Sequence, residues 1–459
     1  MASPVFSNPA VEPFRVGQLP RQRAPAEDLT QYAGHIPVSE DGQGSLFFWL
    51  MLNTTLIPDI QAPDKVNKLI VWFNGGPGCT SLDGVFLENG PFQFAAEDDT
   101  VERREWSMTE QAVMLYVDQP LGTGFSYAPI ADYARDYTVS TDHFLTFLTK
   151  FWALFTELRD FDIYLAGESQ AGVYIPYIAQ EMLRRNDDHA QGAPFPLRGA
   201  SIGSAWLDPL IQYQALFDFS TLHQLHPASQ NNALRELWEQ CRADYVQHAP
   251  RISSPVCENG VTRYLDLSNP AEGQCYNSYD YRLVDTIPDC GMNWPPKIHV
   301  FTEYFRQPEV WRALHVGDRR WDQWNECNTQ VGKRLANTIN RPSVDLLPDL
   351  LDQIPIMLIN GDKDILCNYL GVERSNQHMT WGGHQGFREP RFQTWRVDGG
   401  EAGYYRSERN LTYVRLFNAS HMAGVDAPLE LFDLMARLIG TDRSRYAYKS
   451  DLLPVVSLG

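Results

Sequence analysis

The sequence predicts a mostly parallel α/β sheet covered on both faces, and three observations carry that expectation. Short continuous apolar runs recur along the chain, amphipathic helical patterns separate several of them, and each run ends in a loop rich in Gly, Asn or Asp. A strand with one wet face alternates apolar and polar residues, whereas a strand buried on both faces reads as a continuous apolar run. Strand alternating with helix then favours parallel pairing.

Taken in order, residues 1–30, with several prolines and the stretch RQRAPAED, read as an irregular arm, and SLFFWLML (45–52) reads as a strand. KLIVWF (68–73), AVMLYV (112–117), DIYLA (162–166), ASIGS (200–204), IPIMLI (354–359) and TYVRLF (412–417) follow as core strands. The pattern DHFLTFLTKFWALFTEL (142–158) repeats Phe144, Leu145, Phe147, Leu148, Phe151 and Leu154 at helical spacing. A second helix is expected after residue 170, with Pro176 inside it and therefore a kink. Residues 210–350 break the rhythm: they are helical or irregular, and they carry most of the cysteines. They read as a lid region inserted between two core strands of one 1–459 domain.

With 459 residues, 43% of them hydrophobic, the chain can bury a large core. Thirty-eight Lys and Arg against 57 Asp and Glu leave a net charge of -19, which argues against nucleic acid as the main partner. No run of eighteen apolar residues predicts a membrane span, and no apolar N-terminal run resembles a signal peptide. The seven cysteines form no C-x-x-C pair and stand beside no zinc-spaced histidines, so no structural zinc is expected. Four of them fall between residues 241 and 290, and the chain carries glycosylation sequons at Asn53, Asn410 and Asn418. Together these predict disulfides and a secretory compartment.

The chemistry-bearing motifs lie at strand ends. Gly167-Glu168-Ser169-Gln170-Ala171-Gly172 falls between a strand and a helix, where small neighbours let a tight turn expose the serine Oγ as a nucleophile. Alone, the motif is also matched by Ser-Gly loops without chemistry. A second loop, NGGPGCTS (74–81), also follows a strand; its freed N–H groups can face an oxyanion, and Gly76 N–H with Gln170 N–H are the candidate donors. A phosphate cradle is the competing reading of that loop, but the Lys-Ser/Thr it needs is missing. Further along, INGDKDILCN offers Asp362 and Asp364 after one strand, and NASHMAG offers His421 after the last. The order serine, acid, histidine suits a triad built on this kind of sheet.

At this point the chain resembles the serine carboxypeptidases, the peptidase family of carboxypeptidase Y, and within it the fungal Kex-type pheromone-processing members. The likeness runs through YAGHIPV, WFNGGPGCTSLDG, VDQPLGTGFSYA, GESQAGVYIPYIA, CGMNWP, NGDKDILCN and NASHMAG, in family order. It implies an α/β-hydrolase fold, with Ser169 as nucleophile, His421 as base and Asp364 as the acid that orients it. It also implies that Asn74, the Gly75 backbone and Glu168 hold a substrate's free carboxylate, with Glu88 paired to Glu168. Two carboxyls held together do not both ionise cheaply, so one keeps a proton and can donate to the substrate at mildly acidic pH.

The resemblance further implies a Cys79–Cys327 disulfide; Cys241–Cys257 and Cys275–Cys290 follow as neighbour pairs, nested pairing being the alternative. Cys367 is then a free thiol beside the site, or simply a small buried apolar residue. Kex-type members remove C-terminal Lys or Arg, for which Asp83 near the terminal pocket is a candidate; a loop carboxylate is the equally weighted reading. Met422 falls near the same pocket.

The chain departs from the family at Gln170, where Tyr is usual, at GSAWLDP and at HMAG, so its side-chain specificity is less fixed than its mechanism. The expected activity is removal of single C-terminal residues from peptides or proteins through an acyl-enzyme, without metal or organic cofactor. The runner-up is an acyltransferase or esterase on the same scaffold. The expected compartment is the late Golgi or vacuolar lumen, or secretion, without the C-terminal anchor of Kex-type members.

Overall fold

The structure, a computed structural model, describes residues 6–62, 65–188, 195–317, 323–336 and 339–452. Its main sheet has eleven strands. In chain order they are β1 (Arg15–Val16), β2 (Leu29–Pro37), β3 (Ser45–Asn53), β4 (Lys68–Phe73), β5 (Val113–Asp118), β6 (Asp162–Glu168), β7 (Leu197–Gly203), β8 (Ile356–Gly361), β9 (Gln393–Val397), β10 (Gly400–Glu408) and β11 (Leu411–Leu416). Across the sheet the order is β1-β2-β3-β5-β4-β6-β7-β8-β11-β10-β9. The run from β5 to β11 is parallel throughout, while β1–β3 and β9–β10 flank it as antiparallel strands.

Side-chain alternation explains the apolar runs. Leu46, Phe48, Leu50, Leu69, Val71, Leu115, Leu165 and Leu358 point to one core, and Phe47, Trp49, Met51, Ile70, Trp72, Met114, Tyr116 and Met357 point to the other. On the first face lie α1 (Tyr137–Leu154), with Phe144, Phe147, Leu148 and Phe151 buried, and α2 (Ala171–Asp187). The C-terminal helix Pro428–Ile439 covers the second face with Leu431, Leu434, Met435 and Leu438. Helix α2 runs unbroken through Pro176, although proline removes the N–H that would reach the Gly172 carbonyl.

The expected strands are all present, Lys68–Phe73 with the expected bounds and the others with ends shifted by at most three residues. The N-terminal arm is less irregular than expected: Pro9–Phe14 form a 3-10 helix and Arg15–Val16 join the sheet as β1, while Phe6 and Val11 are buried and Phe6 meets the rings of Tyr32 and Phe155. Between β7 and β8 the chain leaves the sheet through α3 (Pro209–Leu222), α4 (Asn231–His248) and α5 (Pro255–Leu267). Not all of this segment lies over the site. Helix α6 (Ile298–Phe305) sends Ile298, Phe301 and Phe305 into the core of the second face, where Phe305 meets Phe86 edge-on and Trp324 at a tilt. That part of 210–350 is therefore core, because its apolar stripe supplies a layer the sheet needs.

Disulfides join Cys79 to Cys327, Cys241 to Cys257 and Cys275 to Cys290, and Cys367 is free and buried. No helix among the described residues is long and apolar enough to cross a membrane. The three sequons have different surroundings. Asn53 corrects the expectation of a glycan: it is 2% exposed, donates to Glu110 Oε2 at 3.0 Å and caps the N–H groups of Thr55 and Leu56, so the folded chain has no room for a sugar there. Asn410 is half-buried and donates to the Leu351 carbonyl, whereas Asn418 is exposed.

Candidate functional site

Strand β6 ends at Glu168 and α2 begins at Ala171, which leaves two residues to reverse the chain. Ser169 takes the strain, with φ +59° in the left-handed region that a side chain rarely adopts. The turn is possible because its neighbours are small: a Cβ on Gly167 would lie 2.2 Å from the Phe73 carbonyl oxygen, and one on Gly172 would lie 2.6 Å from that of Trp206. Loop 74–81 approaches from β4, so closely that a Cβ on Gly75 would lie 2.6 Å from Ser169 Cβ. Buried Asp118 at the end of β5 holds this loop, accepting from Thr80 Oγ1, Ser81 N–H and Phe125 N–H at 2.7–2.8 Å. Among the described residues, the N–H groups of Gly76 and Gln170 donate to no protein acceptor. Two unspent N–H groups beside a half-buried serine suit a developing oxyanion.

Asp364 and His421 come from the loops after β8 and β11. A Cβ on Gly361 would lie 2.1 Å from the Ser420 carbonyl oxygen, so glycine lets the two loops touch. His421 Nδ1 stands 2.8 Å from Asp364 Oδ2, both residues buried. The second Asp364 oxygen accepts from Cys367 N–H at 3.2 Å. Asp362, the other acid of the motif, pairs instead with Lys363 Nζ. Two neighbours that sequence reasoning did not single out fix the imidazole loop. The Tyr279 carbonyl accepts the His421 N–H while its ring lies 5.1 Å from the imidazole, and Ser204 Oγ donates to the His421 carbonyl at 2.8 Å. Tyr279 arrives from the inserted segment, where no spacing rule points to it; Ser204 belongs to the departing GSAWLDP stretch. No hydrogen bond joins Ser169 Oγ to His421 among the described residues; the hydroxyl meets the Cys367 thiol. One χ1 rotation re-aims a serine hydroxyl.

The carboxyl cluster begins at Asn74. Its Oδ1 accepts from Trp72 Nε1 at 2.7 Å and Gly84 N–H at 3.1 Å, which orients Nδ2 toward Glu88 Oε1 at 2.8 Å and Glu168 Oε1 at 3.1 Å. Glu88 and Glu168 are also hydrogen-bonded to each other, which requires a proton between them. Burial is the first cause that raises both carboxyls; the charge of Glu88 pushes Glu168 further, well above its ordinary value. The pair therefore keeps a proton between its two carboxyls. Gly424 of HMAG packs against Glu88, and a Cβ there would lie 2.8 Å from the Glu88 carbonyl oxygen.

A second carboxyl pair was not foreseen. Asp83 is hydrogen-bonded to Glu326, the residue before the cysteine that joins Cys79, and burial raises both, Asp83 well above its ordinary value. Only the Cys79–Cys327 pairing could have brought Glu326 to mind. Asp83, Glu326 and Glu168 line one cavity of about 170 Å³ with Asn74, His421 and Met422 among others, and Glu88 stands behind Glu168. A second cavity, of about 260 Å³, opens on the other side of Ser169 past Gln170, Tyr137, Trp206 and Cys367. There Gln170 Nε2 donates to Tyr137 Oη at 2.6 Å, and burial holds the Cys367 thiol well above its ordinary value, hence protonated. The cluster of Cys79, Glu326 and Cys327 has the size of a metal site, but its sulfurs are tied in a disulfide and offer no thiolate.

The family profile described as serine carboxypeptidase matches residues 20–441. The chain is 38% identical over 432 residues to a pheromone-processing carboxypeptidase KEX1 of Pyricularia oryzae, covering 92% of this chain and 67% of that protein. It is 36% identical over 453 residues to the protein of the same name from Metarhizium robertsii, covering 96% and 72%. For that of Coccidioides posadasii the match is 38% over 429 residues, covering 90% and 65%. The chain thus spans about two thirds of the length of these curated relatives. Among solved structures, Kex1(delta)p, a prohormone-processing carboxypeptidase from Saccharomyces cerevisiae, superposes with a TM-score of 0.82 at 32% identity, covering 93% of this chain and 95% of that one.

Proposed function

Because this chain belongs to the serine carboxypeptidase family, we propose that it removes single amino acids from the free C-termini of peptides, through an acyl-enzyme on Ser169. His421, oriented by Asp364, takes the Ser169 proton as the hydroxyl attacks the last peptide carbonyl. The N–H groups of Gly76 and Gln170 receive the oxyanion. His421 then returns the proton to the leaving amine, the terminal amino acid departs, and water activated by the same imidazole hydrolyses the ester.

The observation that carries an exopeptidase rather than an esterase is the Asn74–Glu88–Glu168 cluster in the same cavity as His421. Asn74 Nδ2, the Gly75 backbone and the proton on Glu168 bind the substrate's terminal carboxylate, a group with no counterpart in a simple ester. The terminal side chain is Lys or Arg. In support, Asp83 and Glu326 share a proton in that cavity, and no Lys or Arg lines it among the described residues; a basic side chain replaces the proton and pairs with the carboxylates. The three disulfides fit work in an oxidising secretory lumen.

Incubation with a peptide library at mildly acidic pH, followed by mass, tests the reading. Loss of one C-terminal residue at a time, abolished in Ser169→Ala, is expected. Internal cleavage, or ester hydrolysis without peptide trimming, would contradict it.

A further inference from the structure

The larger cavity beside Ser169 holds one charged side chain that the mechanism does not use. Among its described lining residues Glu258 is the sole ionisable carboxylate, and no lysine, arginine or histidine faces it. Glu258 stands in the first turn of α5, where the helix N-terminus favours negative charge, and directly follows Cys257, whose disulfide to Cys241 ties α5 to α4. Its position is therefore fixed and it lines the cavity; burial raises its carboxyl above the ordinary value, and the hydrogen bond from Tyr213 opposes that rise. Tyr213 Oη donates to Glu258 Oε1, and the Tyr213 ring meets the indole of Trp206 edge-on at 4.9 Å. Leu216 and Val261 complete an apolar and aromatic surround.

Such a slot suits a side chain with a long aliphatic stem and a cationic tip. The methylenes lie along Trp206 and Tyr213, and the cation meets the carboxylate. A neutral side chain of the same length strips water from the Glu258 carboxyl and gives nothing back, and an acidic one adds repulsion.

We propose that Glu258 makes the enzyme selective for a basic residue at the penultimate position of its substrate, independently of the terminal residue read across the catalytic serine. This rests on the carboxypeptidase reading, which seats the acyl side of the scissile bond in this cavity.

The test uses three peptides that share one terminal residue and differ at the penultimate position: lysine, norleucine, which keeps the stem without the charge, and glutamate. For the wild-type protein kcat/KM is expected to favour lysine over norleucine by about tenfold. In Glu258→Gln the ratio is expected to fall to about one with the terminal Lys-to-Leu preference unchanged, and in Glu258→Lys the order is expected to favour glutamate. Tyr213→Phe removes the hydrogen bond but keeps the charge, so it retains the lysine preference; loss of the preference there would assign the effect to packing and overturn the proposal. A wild-type ratio near one, or an unchanged ratio in an active Glu258→Gln, also overturns it while leaving carboxypeptidase activity standing. If the wild-type protein trims none of the peptides, the underlying reading fails first.

Discussion

The two cavities that meet at Ser169 hold their charge differently. On one side Asp83, Glu326, Glu88 and Glu168 are packed as two hydrogen-bonded carboxyl pairs, all raised by burial, with neighbouring charge pushing Asp83 and Glu168 further. On the other a single carboxyl, Glu258, stands among aromatic and aliphatic walls. Paired acids share a proton that a ligand must compete with; a single carboxyl held by the Tyr213 hydroxyl has no second acid to share one with. Recognition of the terminal residue is therefore tied to protons shared within pairs, whereas recognition of its neighbour depends on one carboxyl that burial raises without an acid partner.

The largest effect should come from the element the cavities share. Ser169→Ala is expected to lower kcat by about 10⁴-fold or more for every peptide, whatever its last two residues, as single-turnover and steady-state assays would register. Activity surviving for one class of peptide would separate the cavities chemically and break the comparison.

Next in size is Glu168→Gln. An amide donates at every pH, so KM for a free-acid peptide is expected to become nearly flat from pH 5 to 8, whereas the wild-type KM rises by about tenfold or more over that range. A mutant that keeps the wild-type pH profile would remove the shared proton from the account.

Asp83→Asn sharpens the contrast further. It should reduce the preference for terminal Lys over Leu by roughly tenfold and leave the penultimate preference untouched. An unchanged terminal ratio would reduce Asp83 to a loop carboxylate.

The smallest effect concerns stability. The four paired carboxyls have folded-state pKa values above their unfolded ones, so above about pH 4 the folded chain binds protons that the unfolded chain has released. Their contribution is most favourable below the unfolded values and is lost as pH rises toward the folded ones. Tm is expected to fall by a few degrees between pH 5 and 8, and by less in Glu168→Gln. A Tm that rises over that interval would contradict the sign.

Legibility in the sequence followed the same division. The parallel strands were readable because residues buried on both faces, such as Leu69 to Phe73, leave no polar alternation. The positions of Ser169, Asp364 and His421 followed from strand ends and order, since a sheet of this kind gathers its loops at one edge. Residues delivered by the insertion were not readable: Tyr279, Glu326 and Glu258 reach the site through irregular chain and disulfides, where no period relates sequence to space. Asn53 misled for the opposite reason. Its sequon is a local pattern, and its burial is decided by packing against Glu110, far away along the chain.

The central claim is that a protonated acid pair grips a free terminal carboxylate beside the reacting serine. It is tested most directly by kcat/KM for one peptide prepared as the free acid and as the C-terminal amide, measured from pH 5 to 8. The account predicts a preference for the acid of about a hundredfold at pH 5, shrinking as the pair loses its proton. Equal cleavage of acid and amide, or a preference that does not change with pH, would contradict it.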